Sequence, residues 1–586
     1  MNAADTEAAT SLTQEEKEYL EGFGAGLIAA SAVPIGTPDL PRAGISSPVE
    51  PASWFGWPID EITREEQLKR EENPLDIWDK LLAHAQQDQP PQAGDAYRFK
   101  FHGLFYVAPA QDSLMVRVRI PGNMLTSLQM RTLAGIASEL GGGYGDVTTR
   151  GNIQIREIAP RDAVEVLMRL SESGLTSRGA GADNVRNITS SPLSGIDPTE
   201  LIDTRPMARA LQFYLSNSRD LYGLPRKFNV SFDGAGRVSV ATETNDIGFI
   251  ASHVSSAADI AAGVYFRVVL GGITGHLRFA NDCGLLVAPE KCVEVAVAML
   301  RVFAEHGDRT DRKKARLCYL LDRLGTERFL ELVQAKLTFD LRFLAAEHCS
   351  ARPPVDKHGH IGIHRQVQSD LSSIGIVIPV GRMSAEQMLR LAELADSHGN
   401  GELRPTVWQN IILPNVRSVR VPEAVHLISA MGYEVSSTAI SGCVVACTGN
   451  AGCRFSATDT KQHALRLAQH LDQRFKLDTP INIHLTGCPN SCAQHRVADI
   501  GLLGASVATA SGSVEGYHVF VAGGVEQERG LGREFAANVP FPELPRLLES
   551  LLQVFLSNRK PRESLVDFVR RHDIGSLRSL AGAKDG

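Results

Sequence analysis

The sequence predicts an α/β (α+β) protein assembled around an internal duplication. Three observations carry that expectation. Strand-like and helix-like text alternates along most of the chain, one β-α-β segment recurs at a fixed offset, and cysteines collect in the final third. Alternation with Gly-rich turns argues for sheets packed by helices rather than for a bundle or a sandwich.

At 586 residues the chain has room for about three or four compact units. Its 43% apolar and 22% charged content is that of an ordinary globular protein and excludes collagen-like, coiled-coil and wholly disordered classes. A net charge of -7 supplies no global basic field for nucleic acid or anionic lipid. No apolar run approaches the ~20 residues of a membrane span. The opening text MNAADTEAATSLTQEEKEYL lacks the basic and apolar regions of a signal peptide. We therefore expect a cytoplasmic protein with no nucleic-acid or membrane partner. Its nine cysteines are then buried small hydrophobes or thiolate ligands rather than disulfides.

Residues 1–95 read as a lead segment. It comprises a helix-like stretch (Leu12 to Ala30), Pro-rich text (Pro34 to Pro58), an amphipathic stretch (Ile62 to Gln87) and the linker QQDQPPQAGDA, with no visible chemistry. GFGAGL at 22–27 is not a dinucleotide fingerprint, because Leu27 stands where the third glycine belongs and helical text precedes it. No phosphate-cradling GxxxxGK[ST] occurs anywhere, so electrons or groups must come from elsewhere than a resident nucleotide.

The repeat follows. Residues 118–153 align without a gap to residues 376–411, a constant offset of 258, with twelve of 36 positions identical, among them Pro121/Pro379, Gln129/Gln387, Gly143/Gly401, Thr148/Thr406 and Asn152/Asn410. Chance supplies about two or three at average residue frequencies. Each copy reads strand, helix, strand. The period is too long for a solenoid, so two halves related by a pseudo-twofold axis are expected. Arg117, Arg119 and Arg150 of the first copy face Gly375, Val377 and Trp408 of the second, which loads positive charge on one half and points to an anionic guest. We divide the chain into the lead segment 1–95, the half-domains 96–158 with 346–415, an α/β unit 159–345 and a second α/β unit 416–586.

The last unit holds Cys447-TGNAG-Cys453 and, 34 residues on, Cys488-PNS-Cys492. Two close thiol pairs point to a metal or cluster site. Zinc ribbons use shorter knuckles, whereas spans of five and three residues with Gly, Asn and Pro suit the wider cubane of a 4Fe-4S cluster. Cys443 reads as a buried thiol, and Cys283, Cys292, Cys318 and Cys349 are scattered in apolar or helical text.

Taken together, CTGNxxC, TGCPNSC, the duplication, TTRxNxQIR, NVRN, IDTRP, LPRKFN and DRTDRKKAR resemble the sirohaem-dependent nitrite and sulfite reductases over roughly residues 96–575. The resemblance implies that family's duplicated architecture: two ferredoxin-like half-domains forming one domain beside two larger α/β domains. It implies one sirohaem and one 4Fe-4S cluster bridged by a shared thiolate, here Cys492, with Cys447, Cys453 and Cys488 as the other ligands. By motif match the anion pocket falls on Arg117, Arg186, Lys227 and Asn229, with the arginines as clamps and Lys227 as proton source. The eight carboxylates of sirohaem imply a basic seat, for which Arg150, Asn152, Arg312, Lys314 and Arg316 are the candidates. Gly151 stands where relatives often have Gln, and Ile153 where they have an aromatic residue.

The resemblance further implies nitrite as substrate, because Asn229 stands where sulfite reductases of the family carry a second Lys, and reduced ferredoxin as electron donor. Sulfite reduction is the alternative. A precorrin-type oxygenase and a bare 4Fe-4S carrier are more distant ones. A basic stretch near the C-terminus, NRKPRESLVDFVRRHD, reads as a solvated helix that an acidic donor can also meet.

Overall fold

The structure, a computed structural model, describes residues 53–255, 260–436, 440–510 and 512–582. The Leu12–Ala30 stretch, the GFGAGL text and most of the Pro-rich segment lie outside the described residues.

The repeat builds two five-stranded sheets that exchange edges. One runs Arg382–Ser384, Tyr144–Val147, Ile153–Ile158, Leu114–Arg117, Leu104–Tyr106; the other runs Gly362–Arg365, Leu371–Ile376, Ile411–Arg417, Glu402–Pro405, Leu125–Thr126. Each copy thus lends its short strand to the other's sheet, Arg382 pairing with Asp146 and Glu402 with Thr126. The helices Ser127–Glu139 and Ala385–His398 both start on a capping box, Thr126 with Gln129 and Ser384 with Gln387. Their apolar faces share one core, which includes Met130, Leu133, Met388 and Leu391.

Backbone conformation repeats where side chains do not. Left-handed residues recur at the 258-residue offset: Gly122 and Val380, Asn123 and Gly381, Gly143 and Gly401, Gly151 and Gln409, Glu157 and Asn415, Gly174 and Gly432. The turn that ends the repeat is closed alike in both copies, Thr148 N to Asn152 O and Thr406 N to Asn410 O, each at 2.8 Å.

The third sheet has six strands in the order Arg342–Phe343, Asn281–Val287, Gly263–Leu270, Ile247–Val254, Val230–Asp233, Thr189–Ser190, with its last two pairings parallel. Its core packs against Arg205–Asn217 and the almost wholly buried helix Cys292–His306. The fourth sheet runs Val444–Ala446, Ile483–Thr486, Ile500–Thr509, Gly512–Val521, Arg533–Pro540. Its first three strands are parallel, and helices Thr460–Asp472 and Leu544–Asn558 cover it.

The lead segment differs from its expected simplicity. Ile62 to Gln87 is two helices, Arg64–Glu71 and Trp78–Gln87, parted at Asn73–Pro74 because proline disfavours the helical conformation of its predecessor. The linker text itself becomes helical at Ala93–Phe99. From residue 53 onward this segment is docked through buried charge: Arg309 donates to Glu66 at 2.6 Å and Lys69 donates to Leu224 O at 3.0 Å, while Tyr97 Oη, just beyond it, donates to Asp183 at 2.8 Å. Among the described residues no helix is long and apolar enough to cross a membrane.

Candidate active site

The cysteines lie at the C-terminal ends of adjacent parallel strands, the edge where open α/β sheets bind ligands. Ala446 pairs with Leu485, so Cys447 follows one strand while Gly487 and Cys488 follow its neighbour. Cys447 N donates to Leu485 O at 3.0 Å, and Gly487 N points at Cys447 Sγ, 3.3 Å away. Gly487 is required there: a Cβ would meet the Ser456 hydroxyl at 1.7 Å. Cys447, Cys453 and Cys488 are half-buried and Cys492 is exposed.

The other three thiols, Cys447, Cys453 and Cys488, stand in Coulombic reach of Cys492. Yet among the described residues no three His, Cys, Asp or Glu side chains converge tightly enough for a single metal ion. Four thiols in two pairs, with the Gly487 amide aimed at the Cys447 sulfur, make the donor set that a 4Fe-4S cluster takes. Burial, offset by Lys227, pushes the Cys492 thiol up to about 11. The residue as a whole nonetheless stays exposed, which a ligand shared with a second cofactor allows.

Opposite Cys492 the two basic loops meet. Val185 and Phe228 form a parallel bridge, Phe228 N donates to Asn184 O at 3.0 Å, and Arg186 N donates to Phe228 O at 2.7 Å. Strand alternation sends Phe228 into the core and turns Lys227 and Asn229 to the other face. Arg117, closing the strand Leu114–Arg117, joins them: its Nη1 and that of Arg186 both donate to Ala180 O, at 3.3 and 2.6 Å. Arg117 lies 4.6 Å over the Phe105 ring. With the Gln154 amide oxygen turned toward it, Gln154 accepts from Arg117 Nε at 2.9 Å.

Burial penalises every charge in this group. It brings Arg117 down to about 10, and it lowers Arg186 further with Arg117 as second cause. Lys227 falls to about 7 through burial and then Arg316. Among the described residues neither Lys227 Nζ nor the Asn229 side-chain amide has a hydrogen-bond partner, so both are available to a ligand. An anion placed among these groups relieves like-charge repulsion without displacing a partner.

The remaining candidates have other duties. Arg312 makes the bidentate carboxylate contact expected of it, but with Asp183 at 2.8 and 2.9 Å. Arg316 does so with Asp246 at 3.0 and 2.6 Å, and Asp246 also accepts from Asn229 N at 2.8 Å. Lys314 is exposed. Arg150 donates to Asn245, to Asn187 O at 2.8 Å and to Val230 O at 3.2 Å. Asn152 is buried and gives its amide to Val118 O at 2.7 Å, so it shapes the turn that presents Arg150 rather than reaching into the pocket.

Sequence reasoning missed the anchors. Asp183 and Asp246, which no motif singled out, each hold one or more of the basic side chains. Arg119, noted only as a charge, donates to Val185 O at 2.6 Å and to Gln212 Oε1 at 2.8 Å, which fixes the loop bearing Arg186. Cys443 packs with Ile361 and Val377, and burial raises its thiol well above the usual range. In the C-terminal basic stretch Arg559 pairs with Asp478 at 2.7 Å and Arg571 with Glu563, so part of its charge is neutralised locally.

Comparison with known proteins agrees with this geometry. The nitrite and sulphite reductase 4Fe-4S domain matches residues 181–341 and 442–585, and the nitrite/sulfite reductase ferredoxin-like half domain matches residues 107–173 and 364–431. The ferredoxin–nitrite reductase of Synechococcus elongatus is 35% identical over 503 residues, covering 84% of this chain and 96% of that protein. The chloroplastic ferredoxin–nitrite reductase of Zea mays is 33% identical over 549 residues, covering 89% and 95%. The solved structure of Mycobacterium tuberculosis NirA protein superposes with a TM-score of 0.81 at 27% identity, covering 88% of this chain and 98% of that one.

Proposed function

The chain belongs to the nitrite and sulphite reductase family, and from that premise we propose that it reduces nitrite to ammonium by six electrons taken from reduced ferredoxin. One observation carries the reading: Cys492, last of four facing thiols, is within Coulombic reach of both Arg117 and Lys227. A cluster ligand and an anion pocket therefore share one space.

Cys447, Cys453, Cys488 and Cys492 would hold the 4Fe-4S cluster, with the Cys492 sulfur shared with a sirohaem. Bound together, the two groups supply electrons and a metal coordination position for the substrate. The excess of positive charge around the pocket, Lys100, Arg117, Arg186, Arg226 and Lys227 against Asp183 and Asp246, suits a macrocycle rich in carboxylates.

The chain's own residues do the rest. Arg117 and Arg186 hold the anion through N–H donors already oriented by the Ala180 carbonyl, so little reorganisation remains on binding. Lys227 Nζ, lowered toward neutrality, keeps a proton it can surrender to an oxygen leaving nitrogen. Asn229 offers a neutral donor on a backbone pinned by Asp246. A neutral amide at 229 matches a monoanion better than a dianion, since each unpaired buried charge costs free energy. This and the names of the relatives favour nitrite over sulfite. A cytoplasmic site of action is part of the same proposal, supported by nine cysteines with no disulfide among them.

The test is an assay of anaerobically purified holoprotein with reduced ferredoxin or a reduced viologen. Nitrite-dependent oxidation should exceed the sulfite rate, and the spectrum should carry a Soret band with a chlorin-like red band. A clear sulfite preference overturns the substrate; zinc in place of iron overturns the chemistry.

A further inference from the structure

We propose that Arg156 is a positioning residue for the iron–sulfur loop, and that it and the buried charges behind it set the cluster's reduction potential. The inference rests on the cluster reading above and concerns the loop between the first two of the four cysteines.

Arg156 sits on the strand Ile153–Ile158 of the first half-domain, nearly 300 residues before the loop it serves. Its Nη1 donates to Gly452 O at 3.0 Å and its Nη2 to Thr448 Oγ1 at 2.9 Å, so one guanidinium spans the segment between Cys447 and Cys453. The approach is close. A Cβ on Gly452 would lie 2.8 Å from Arg156 Nη1, and Cys453 is among the groups whose charge the guanidinium feels.

Behind Arg156 lies one carboxylate with two further cations. Asp146 Oδ2 is 3.7 Å from Arg156 Nε. Arg382, from the second copy's exchanged strand, holds Asp146 at 2.9 and 3.1 Å. Lys461, on the helix that covers the fourth sheet, is 3.4 Å from Asp146 and donates to Val380 O. Burial alone would raise the Asp146 carboxyl, but Lys461, Arg382 and Arg156 outweigh it and hold it below the usual range. The group carries net positive charge. Asp146, Arg156 and Lys461 are all buried, where screening by salt is weak. Reduction adds one negative charge to the cluster, so fixed positive charge beside its loop favours the reduced form.

The experiment is an EPR-monitored redox titration of the holoenzyme, with iron and sulfide stoichiometry and a thermal melt for each variant. Arg156→Gln should lower the cluster midpoint, by about tenfold in the reduction equilibrium or ~59 mV for one electron. Asp146→Asn, which removes the carboxylate that faces all three cations, should raise it. Arg156→Lys keeps the charge and should stay near wild type. If Arg156→Gln melts normally but loses iron, the positioning role stands. The opposite signs expected of Asp146→Asn (up) and Arg382→Gln (down) then test the electrostatic one. Midpoints unchanged in fully loaded variants, or shifted in the same direction by removing either sign of charge, overturn the proposal. Wild-type protein without a 4Fe-4S signal would instead fail the reading it rests on.

Discussion

Arg117 and Arg186 donate to the same oxygen, Ala180 O, one from the end of the strand Leu114–Arg117 and the other from the loop before Thr189. Two guanidiniums are thereby held side by side, Arg186 fixed further by Ala182 O at 2.9 Å and Arg117 by the Gln154 amide oxygen. A charge-assisted hydrogen bond is worth about 1.5–3 kcal/mol. Arg186→Ala should therefore cost roughly 10- to 150-fold in kcat/KM for nitrite. Steady-state kinetics on variants with an intact Soret band measure this, and an unchanged kcat/KM would remove Arg186 from the pocket.

Lys227 has a different signature. Lys227→Ala removes a proton source rather than a clamp, so turnover should fall by about 100-fold or more while iron and haem stoichiometry stay near wild type. Equal losses in cofactor content and in rate would reassign Lys227 to the seat of the macrocycle.

Cys488→Ser and Cys492→Ser separate the two cofactors. The first should reduce iron and acid-labile sulfide, because the cluster loses a ligand. The second should also abolish the spectroscopic coupling of haem and cluster. Cys443→Ala, which alters only a buried packing site, should keep full iron; loss of iron there would make it a ligand.

Asp183 is a stability prediction. It accepts from Arg312 and Tyr97 and lies 3.7 Å from Lys69 and 3.6 Å from Arg226. Asp183→Asn strips that group of its carboxylate and should cost ~3–5 kcal/mol, since breaking a buried pair leaves uncompensated charge. A denaturant melt reads it directly. A change below about 1 kcal/mol would show that the surrounding cations are held without the Asp183 carboxylate.

Stability should also depend on pH through Glu526. Burial and then Glu243 push its carboxyl up to about 7, against roughly 4.3 for an unfolded glutamate. Between those values the native state binds more protons than the unfolded chain, so this group's contribution falls as pH rises and levels off above about 7. Glu526→Gln should match wild type near pH 5 and exceed it near pH 8, by ~1.4 kcal/mol per pKa unit. Melts at both pH values test this, and equal differences at the two would refute it.

Much of this was legible in the chain. Twelve identities at one offset announced the duplication, and the left-handed pairs such as Gly151 and Gln409 show how deep it runs. The thiol pairs were legible because the loops that hold them are short and local. Arg117, Arg186, Lys227 and Asn229 were reached through resemblance, not through spacing. The amphipathic stretch Ile62 to Gln87 was legible, but its break at Asn73–Pro74 and the helix Ala93–Phe99 were hidden by Pro and Gly text, and the edge exchange between the two copies has no local signal at all.

The sequence by itself determined which groups exist, where the chain repeats, and which thiols stand close enough along the backbone to act together. Tertiary structure alone decided which charges are spent and which are available. Arg312 and Arg316 look like ligand-seeking cations in RTDRKKAR, yet Asp183 and Asp246, 129 and 70 residues away, take up their carboxylate contacts. Lys227 received no such partner. Coulomb energy depends on distance and dielectric in three dimensions, and neither is encoded in separation along a chain.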